Sequence, residues 1–419
     1  MGGTRATGAG PDLRPPLPCT GRGLPPTTGV STFPGMRAVT YEGPYRVGVS
    51  HKPDPRIEHP QDAIVRVTAA AICGSDLHLL HGLVPDTRVG STFGHEFTGV
   101  VEEVGSEVTG ISVGDRVMMP FQIFCGGCYF CERGLTACCE STNPASDVAS
   151  GVYGYSHTTG GYDGGQAEYV RVPFAGVDAE RIPADMDDLE VLPITDALPT
   201  GYQAAEMCEL KGGETVVVFG AGPVGLFAMR SAWLMGAGRV IAVDEQDYRL
   251  EFARGFARVE TLNFRDADVI TEIKAMTDDR GADCSIDAVG CEAAGSPMQR
   301  AVGVHGKLEA GSAAALNWCF HATRKGGTVS VVGVYGPPYN LVDFGTAMNK
   351  CQTIRTGQCS VKRYMPHLLE HVRAGRIDAK AVFTHRLPLE RASEGYHTFA
   401  QKQDGCIKVA LFPNHTTIH

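Results

Sequence analysis

The chain has 419 residues, 43% of them hydrophobic, and a formal net charge of −10. That length exceeds one simple core and sets two domains as the expectation, and the acidic balance, with no long basic run, lacks the cationic footprint that a nucleic-acid partner needs. No run of about 18 apolar residues is there to span a membrane and no apolar segment follows the amino terminus as a secretion signal, so a soluble, cytoplasmic protein with a small-molecule or protein partner is expected.

Residues 1 to 35 are rich in Gly, Pro and Thr without apolar periodicity, and read as a disordered tail that cannot bury enough surface to offset the entropy of ordering. Met36 opens the first strand-like text, Met36 to Tyr41, and is a candidate start of translation. The apolar segment Ala63 to Ala71 reads as a strand that delivers Cys73, and Thr98 to Val104 and Arg116 to Met119 read as further short strands between Gly turns. These predict an antiparallel, Gly-rich β domain.

The hexapeptide Cys73-Gly74-Ser75-Asp76-Leu77-His78 gathers a thiol, a hydroxyl, a carboxylate and an imidazole, a set suited to moving protons near a metal. A Cys73 thiolate is a zinc ligand, and a catalytic zinc keeps three protein ligands and an open fourth position. His95, in Gly94-His95-Glu96, is the candidate second ligand. Glu96 then reads as a supporting or transient partner, with an ordinary ion pair as its alternative. Further on, Cys125, Cys128, Cys131 and Cys139 form a C-x2-C-x2-C-x7-C array in a glycine-rich loop. Four thiolates close a tetrahedral structural zinc site, whereas unligated thiols are hard to sustain in an exposed loop. Cys138 adjoins the array, breaks its spacing and reads as a bystander. The remaining cysteines are scattered through apolar segments, as reduced buried thiols are, which fits a reducing compartment.

At about Thr195 the texture changes to apolar strands alternating with helical segments, the pattern of a parallel sheet. Thr215 to Phe219 reads as a buried strand, Pro223 to Met235 as a helix with Pro in its first turn, and Arg239 to Val243 as the next strand. Between the first two lies Gly220-Ala221-Gly222-Pro223-Val224-Gly225, and Asp244 follows the next strand. This is the dinucleotide fingerprint in its required context, whose glycines let N–H groups approach a pyrophosphate while the carboxylate accepts from the adenosine ribose. The plain alternative is a turn without a ligand. Asp244 would repel a 2′-phosphate, which favours NAD over NADP, although Arg249 could accommodate that phosphate. Ala282 to Val289 and Thr328 to Val334 supply later strands, with a helix from about Ala313 to Arg324 between them. The loop from Cys291 to about Ser312 is long for its place and reads as a lid or a mobile segment. Cys406 to Phe412 closes the chain and is expected to pair back with the first domain.

CGSDLH, GHE, the four-cysteine lobe and GAGPVG, in this order, resemble the zinc-containing medium-chain alcohol dehydrogenases from Met36 to about Pro413. The resemblance implies an α/β fold, a GroES-like β-rich catalytic domain plus a Rossmann doubly wound parallel sheet. The catalytic domain would cover 36–195, the Rossmann domain 196–358, and 359–419 would return to the first. It also implies Cys73 and His95 as catalytic zinc ligands, Ser75 and His78 as a proton relay, Asp76 behind the ligands, and Arg249 and Lys408 near the cofactor's ribose and pyrophosphate. A homodimer or homotetramer is implied as well.

The third ligand departs from the family pattern. Many relatives have Cys four residues before Thr-Gly-Tyr, where this chain has Asp196 before Thr200-Gly201-Tyr202. Here, and in TDALPTGY, CESTNPA and IDAVGCEA, the chain is similar to the glutathione-independent formaldehyde dehydrogenase branch. Carboxylate oxygen is an accepted zinc ligand and keeps the site's formal charge at zero, so Asp196 is read as the third ligand, its alternative being a helix N-cap. The sequence therefore reads as an NAD-dependent dehydrogenase with two Zn²⁺ per chain, acting on an alcohol or an aldehyde hydrate such as hydrated formaldehyde. A polyol or secondary-alcohol dehydrogenase is one alternative. A non-catalytic nucleotide-binding member of the fold is another, and the intact ligand and relay positions count against it.

Overall fold

The near-continuous apolar run from Ala63 to Ile72 is buried along almost its whole length, as a strand with neighbours on both sides must be. The computed structural model in which it lies describes residues 35–84, 86–147, 149–290, 313–335 and 341–414. The tail expected over 1–35, apart from Gly35, and the loop expected from Cys291 to Ser312 fall outside the described residues.

The first strands, β1 (Met36–Gly43) and β2 (Arg46–Lys52), form an antiparallel hairpin. Next, β3 (Ala63–Ile72) pairs antiparallel with β4 (Phe97–Val104), which pairs in turn with β5 (Arg116–Met119). A two-residue ladder, β6 (Gln122–Ile123) with β7 (Gly151–Val152), anchors the cysteine-rich loop between them. Then β8 (Tyr169–Val172) returns to β3, and β9 (Glu180–Arg181) to β5.

The parallel sheet is built from β10 (Thr215–Phe219), β11 (Arg239–Asp244), β12 (Glu260–Asn263), β13 (Ala282–Asp287), β14 (Thr323–Val331) and β15 (Thr353–Thr356). Its order is β12-β11-β10-β13-β14-β15, the doubly wound order in which the topology reverses between β10 and β13. Val216, Val217 and Val218 are fully buried because helices cover both faces. Finally β16 (Phe383–Pro388) and β17 (Lys408–Phe412) rejoin the first sheet, with Val409 opposite Ile72 and Ala410 opposite Ala71. That pairing, which the closing apolar text anticipated, sets Lys408 beside the end of β3.

One stretch differs from the sequence reading. The helix expected to run to Arg324 ends at Ala322, and the strand expected from Thr328 begins at Thr323. The ladder jumps from Ala282 opposite Thr323 to Cys284 opposite Thr328, so Gly326 and Gly327 sit in an irregularity that hides the strand's start. Eight further strands, β2, β6, β7, β8, β9, β12, β15 and β16, were not anticipated. All are seven residues or fewer, three of them only two, and most carry few of the buried apolar residues that mark an inner strand. Among the described residues no helix is long and apolar enough to cross a membrane.

Candidate metal centres and cofactor cleft

Cys73 follows β3 and precedes the helix Gly74–Leu80, His95 and Glu96 lead into β4, and Asp196 precedes the helix Ala197–Glu206. Because β3 and β4 are paired, their ends meet, and one donor atom from each of these four residues lies within 4.8 Å of all the others, every one buried. Asp196 Oδ2 is 3.4 Å from Cys73 Sγ and 3.4 Å from His95 Nε2. The other imidazole nitrogen, Nδ1, faces Asp76 Oδ1 at 3.4 Å. This is the carboxylate-behind-histidine arrangement that orients a metal-binding ring. The second Asp76 oxygen accepts from the Cys73 N–H and from the Gln166 amide, both at 3.0 Å.

Asp196 occupies the N-cap position, yet its side chain makes no capping bond. Its second oxygen, Oδ1, accepts from the Thr200 hydroxyl at 3.1 Å. Glu96 is fully buried against Lys408, whose Nζ lies 2.8 Å from each carboxylate oxygen and donates to the Ile72 carbonyl at 3.3 Å. Lys408, expected from the resemblance near the cofactor's phosphates, therefore directs its ammonium to Glu96, because β17 lies beside β3.

Burial, with Asp196 and Glu96 nearby, pushes the Cys73 thiol up to about 11. Burial also raises Glu96, against the pull of Lys408, to about 7. Asp196 is lowered despite its burial, by the hydrogen bond and charge of His95, and His95 is raised against its burial by Cys73 and Asp76. Cys73, Glu96, Asp196 and Asp76 thus share one imidazole and one ammonium. The cluster is short of positive charge, and a divalent cation bound by sulfur, nitrogen and oxygen would let the thiol ionise. The residues present fit zinc.

Ser75 is half-buried with Oγ 3.7 Å from Cys73 Sγ. His78, three residues along the same short helix, is buried, and that burial pushes its pKa down to about 4. It is neutral at pH 7.

The second cluster is the cysteine loop. One sulfur from each of Cys125, Cys128, Cys131 and Cys139 lies within 4.8 Å of the others, with Cys128 and Cys139 at 3.9 Å. Cys131 opens a 3-10 turn that Gly134 closes, while Cys138 is exposed and outside the group. Burial raises the Cys128 thiol, but backbone N–H groups of Cys131, Glu140 and Phe130 overcome it and bring it to about 6. Burial raises the Cys131 and Cys139 thiols instead, and four sulfur donors at this spacing suit a closed tetrahedral zinc that would hold them ionised.

The glycine-rich turn follows β10 at the switch point of the parallel sheet. Gly220 has φ +96°, and a Cβ on Gly225 would fall 1.9 Å from the Gly220 carbonyl oxygen, so the turn and its packing on the helix Pro223–Leu234 require both glycines. Gly222 is open: the nearest atom to an added Cβ is an Arg249 guanidinium nitrogen at 3.9 Å. Pro223 takes the first helical position, and Val224 packs on the core. Asp244 is buried and accepts from the N–H groups of Ala221, Glu245 and Gln246 at 2.8, 2.8 and 2.9 Å. A carboxylate offers about four lone-pair sites, which leaves one for a ligand hydroxyl.

Thr200, Gln166 and Tyr396 did not stand out in the sequence. Thr200 had a signal in its spacing of four from Asp196. Gln166 had none: it reaches Asp76 across 90 residues and receives the Tyr396 hydroxyl across 230.

Comparison with known proteins adds a separate line of evidence. Residues 59–180 match the family model of the alcohol dehydrogenase GroES-like domain, and residues 223–309 that of zinc-binding dehydrogenases. The chain is 46% identical to an uncharacterised zinc-type alcohol dehydrogenase-like protein of Bacillus subtilis, covering 90% of this chain and all of that one. It is 36% identical to a glutathione-independent formaldehyde dehydrogenase of Pseudomonas aeruginosa, covering 87% of this chain and 95% of the relative. Among solved structures it superposes on an alcohol dehydrogenase of Thermus sp. ATN1 with a TM-score of 0.78 and 36% identity, covering 90% and 99% of the two chains.

Proposed function

Since this chain belongs to the zinc-containing alcohol dehydrogenases, an oxidoreductase family with a GroES-like and a Rossmann domain, we propose that Cys73, His95 and Asp196 are its catalytic zinc ligands. The observation that carries this reading is the convergence of Cys73 Sγ and His95 Nε2 on a single Asp196 oxygen at 3.4 Å. Cys125, Cys128, Cys131 and Cys139 would hold the second zinc, and the turn Gly220 to Gly225 with Asp244 and Arg249 would hold NAD. When bound, zinc supplies the Lewis acid that lowers a hydroxyl's pKa, and NAD supplies the hydride acceptor.

The chain's residues do the rest. Cys73, His95 and Asp196 would leave one position of a bound zinc for substrate, and thiolate plus carboxylate would balance its charge. Ser75 would take the substrate's hydroxyl proton towards His78, which its burial keeps neutral. Glu96 stays with Lys408, and the charge of Asp244 would select the ribose of NAD by repelling a 2′-phosphate.

We infer that hydrated formaldehyde is a substrate, without glutathione. Its gem-diol loses a hydride from carbon and a proton from oxygen, giving formic acid and NADH. Asp196 in TDALPTGY and the 36% identity to the Pseudomonas enzyme support this branch. The test follows NADH absorbance with formaldehyde alone, with added glutathione, and with a panel of primary, secondary and polyol substrates, each with NAD and with NADP. Turnover of formaldehyde alone with NAD is expected. A requirement for glutathione would remove the branch assignment, and a preference for NADP the role of Asp244.

We propose three further assignments. The division at 196 and 359 is supported by sheets that use residues 36–181 with 383–412 on one side and 215–356 on the other. A homodimer or homotetramer is supported by Leu341, Phe344 and Met348, exposed close in sequence to the edge strand β15. A cytoplasmic setting is supported by twelve free cysteines among the described residues.

A further inference from the structure

The two oxygens of Asp196 have different surroundings. Oδ2 faces Cys73 Sγ and His95 Nε2, each at 3.4 Å, whereas Oδ1 is turned away and accepts from the Thr200 hydroxyl at 3.1 Å. The Thr200 N–H also donates to the Asp196 carbonyl at 3.0 Å, so the first turn of the helix Ala197–Glu206 fixes the two residues on one face. A helical threonine ordinarily returns its hydroxyl to the carbonyl one turn back. Here it goes to the side chain one turn back instead.

This difference matters for a metal. A thiolate has one donor atom, but a carboxylate has two, and a freely rotating carboxylate can bind through both and fill the coordination position that a substrate needs. Asp196 is buried, with little water to hold the second oxygen away. We propose that Thr200 is a positioning residue which occupies Asp196 Oδ1 and so makes Asp196 a one-oxygen ligand, keeping the fourth metal position open. This rests on the reading of Asp196 as a zinc ligand.

The experiment compares Thr200→Val, Thr200→Ser, Asp196→Ala, Asp196→Cys and the double variant Asp196→Cys with Thr200→Val. Two readouts are used: zinc retention in competition with a chelator, and the visible spectrum after cobalt replaces the cleft zinc. The lobe zinc serves as an internal check on folding. Thr200→Val is expected to weaken the visible absorption of the cobalt form at least about 2-fold, as Asp196 binds through both oxygens and the metal gains a ligand, and to change retention of the cleft metal by up to about 10–100-fold, the scale on which a ligand's supporting hydrogen bond acts. Thr200→Ser should restore both. In the Asp196→Cys background, where no second oxygen exists, Thr200→Val should change neither. Unchanged retention and spectrum in Thr200→Val, or equal changes in both backgrounds, would overturn the proposal. Full metal retention by Asp196→Ala would instead remove Asp196 as a ligand, which separates the two failures.

Discussion

The cysteine lobe and the cleft each gather four potential ligands within the same 4.8 Å, but they are assembled in different ways. In the lobe, four identical donors come from a single stretch, Cys125 to Cys139, and three of them are partly exposed. In the cleft the donors are a thiol, an imidazole and two carboxylates, all buried, drawn from positions 73 to 196. Each cleft residue but Cys73 has a side chain behind it: Asp76 behind His95, Thr200 behind Asp196, Lys408 behind Glu96. The contrast teaches that a site for holding a fold needs only enough equal donors close in sequence. A site for chemistry needs unlike donors with their orientations and charges fixed from outside.

The largest expected effect separates the two directly. Cys73→Ser should lower kcat by at least about 10³-fold, since several kcal/mol of charge stabilisation goes with the metal, and should leave the melting curve close to wild type. Cys128→Ser should do the reverse in emphasis, losing the lobe zinc and several kcal/mol of stability. If the two variants gave the same pattern of activity and melting, the distinction between the clusters would collapse.

A smaller effect probes the support beneath the cleft. Lys408→Met leaves Glu96 buried without its cation, and breaking a buried pair in this way costs about 3–5 kcal/mol by denaturant titration. The double change Lys408→Met with Glu96→Leu should recover much of that loss, because neither partner then carries an uncompensated charge. A single variant as stable as wild type would mean that the pair is solvated rather than buried. The smallest effect belongs to the lobe's bystander: Cys138→Ser should stay within about 0.5 kcal/mol of wild type and retain both metals, as surface changes do. Loss of the lobe zinc in that variant would put Cys138 among its ligands.

The same contrast explains what the sequence revealed. The lobe was fully legible because its ligands repeat at short intervals, and the glycine-rich turn was legible because strand, helix and acidic residue follow one another in order. The cleft was legible only in pieces. Cys73 and His95 sit in recognisable local text, but the position of Lys408 depends on β17 pairing with β3 across more than 300 residues, and while the closing apolar text announced a return to the first domain, no local pattern records the partner strand or its register. Gln166 and Tyr396 were invisible for the same reason. Asp196 was read as a ligand with a helix N-cap as the alternative, and in the fold it stands at the cap position with its carboxylate turned to the cluster rather than to the helix's N–H groups.

Elemental analysis of the purified protein bears most directly on the account as a whole. Wild type should contain two zinc ions per chain, and Asp196→Ala should contain one, with the lobe zinc retained. A single zinc in wild type, or two in Asp196→Ala, would contradict it.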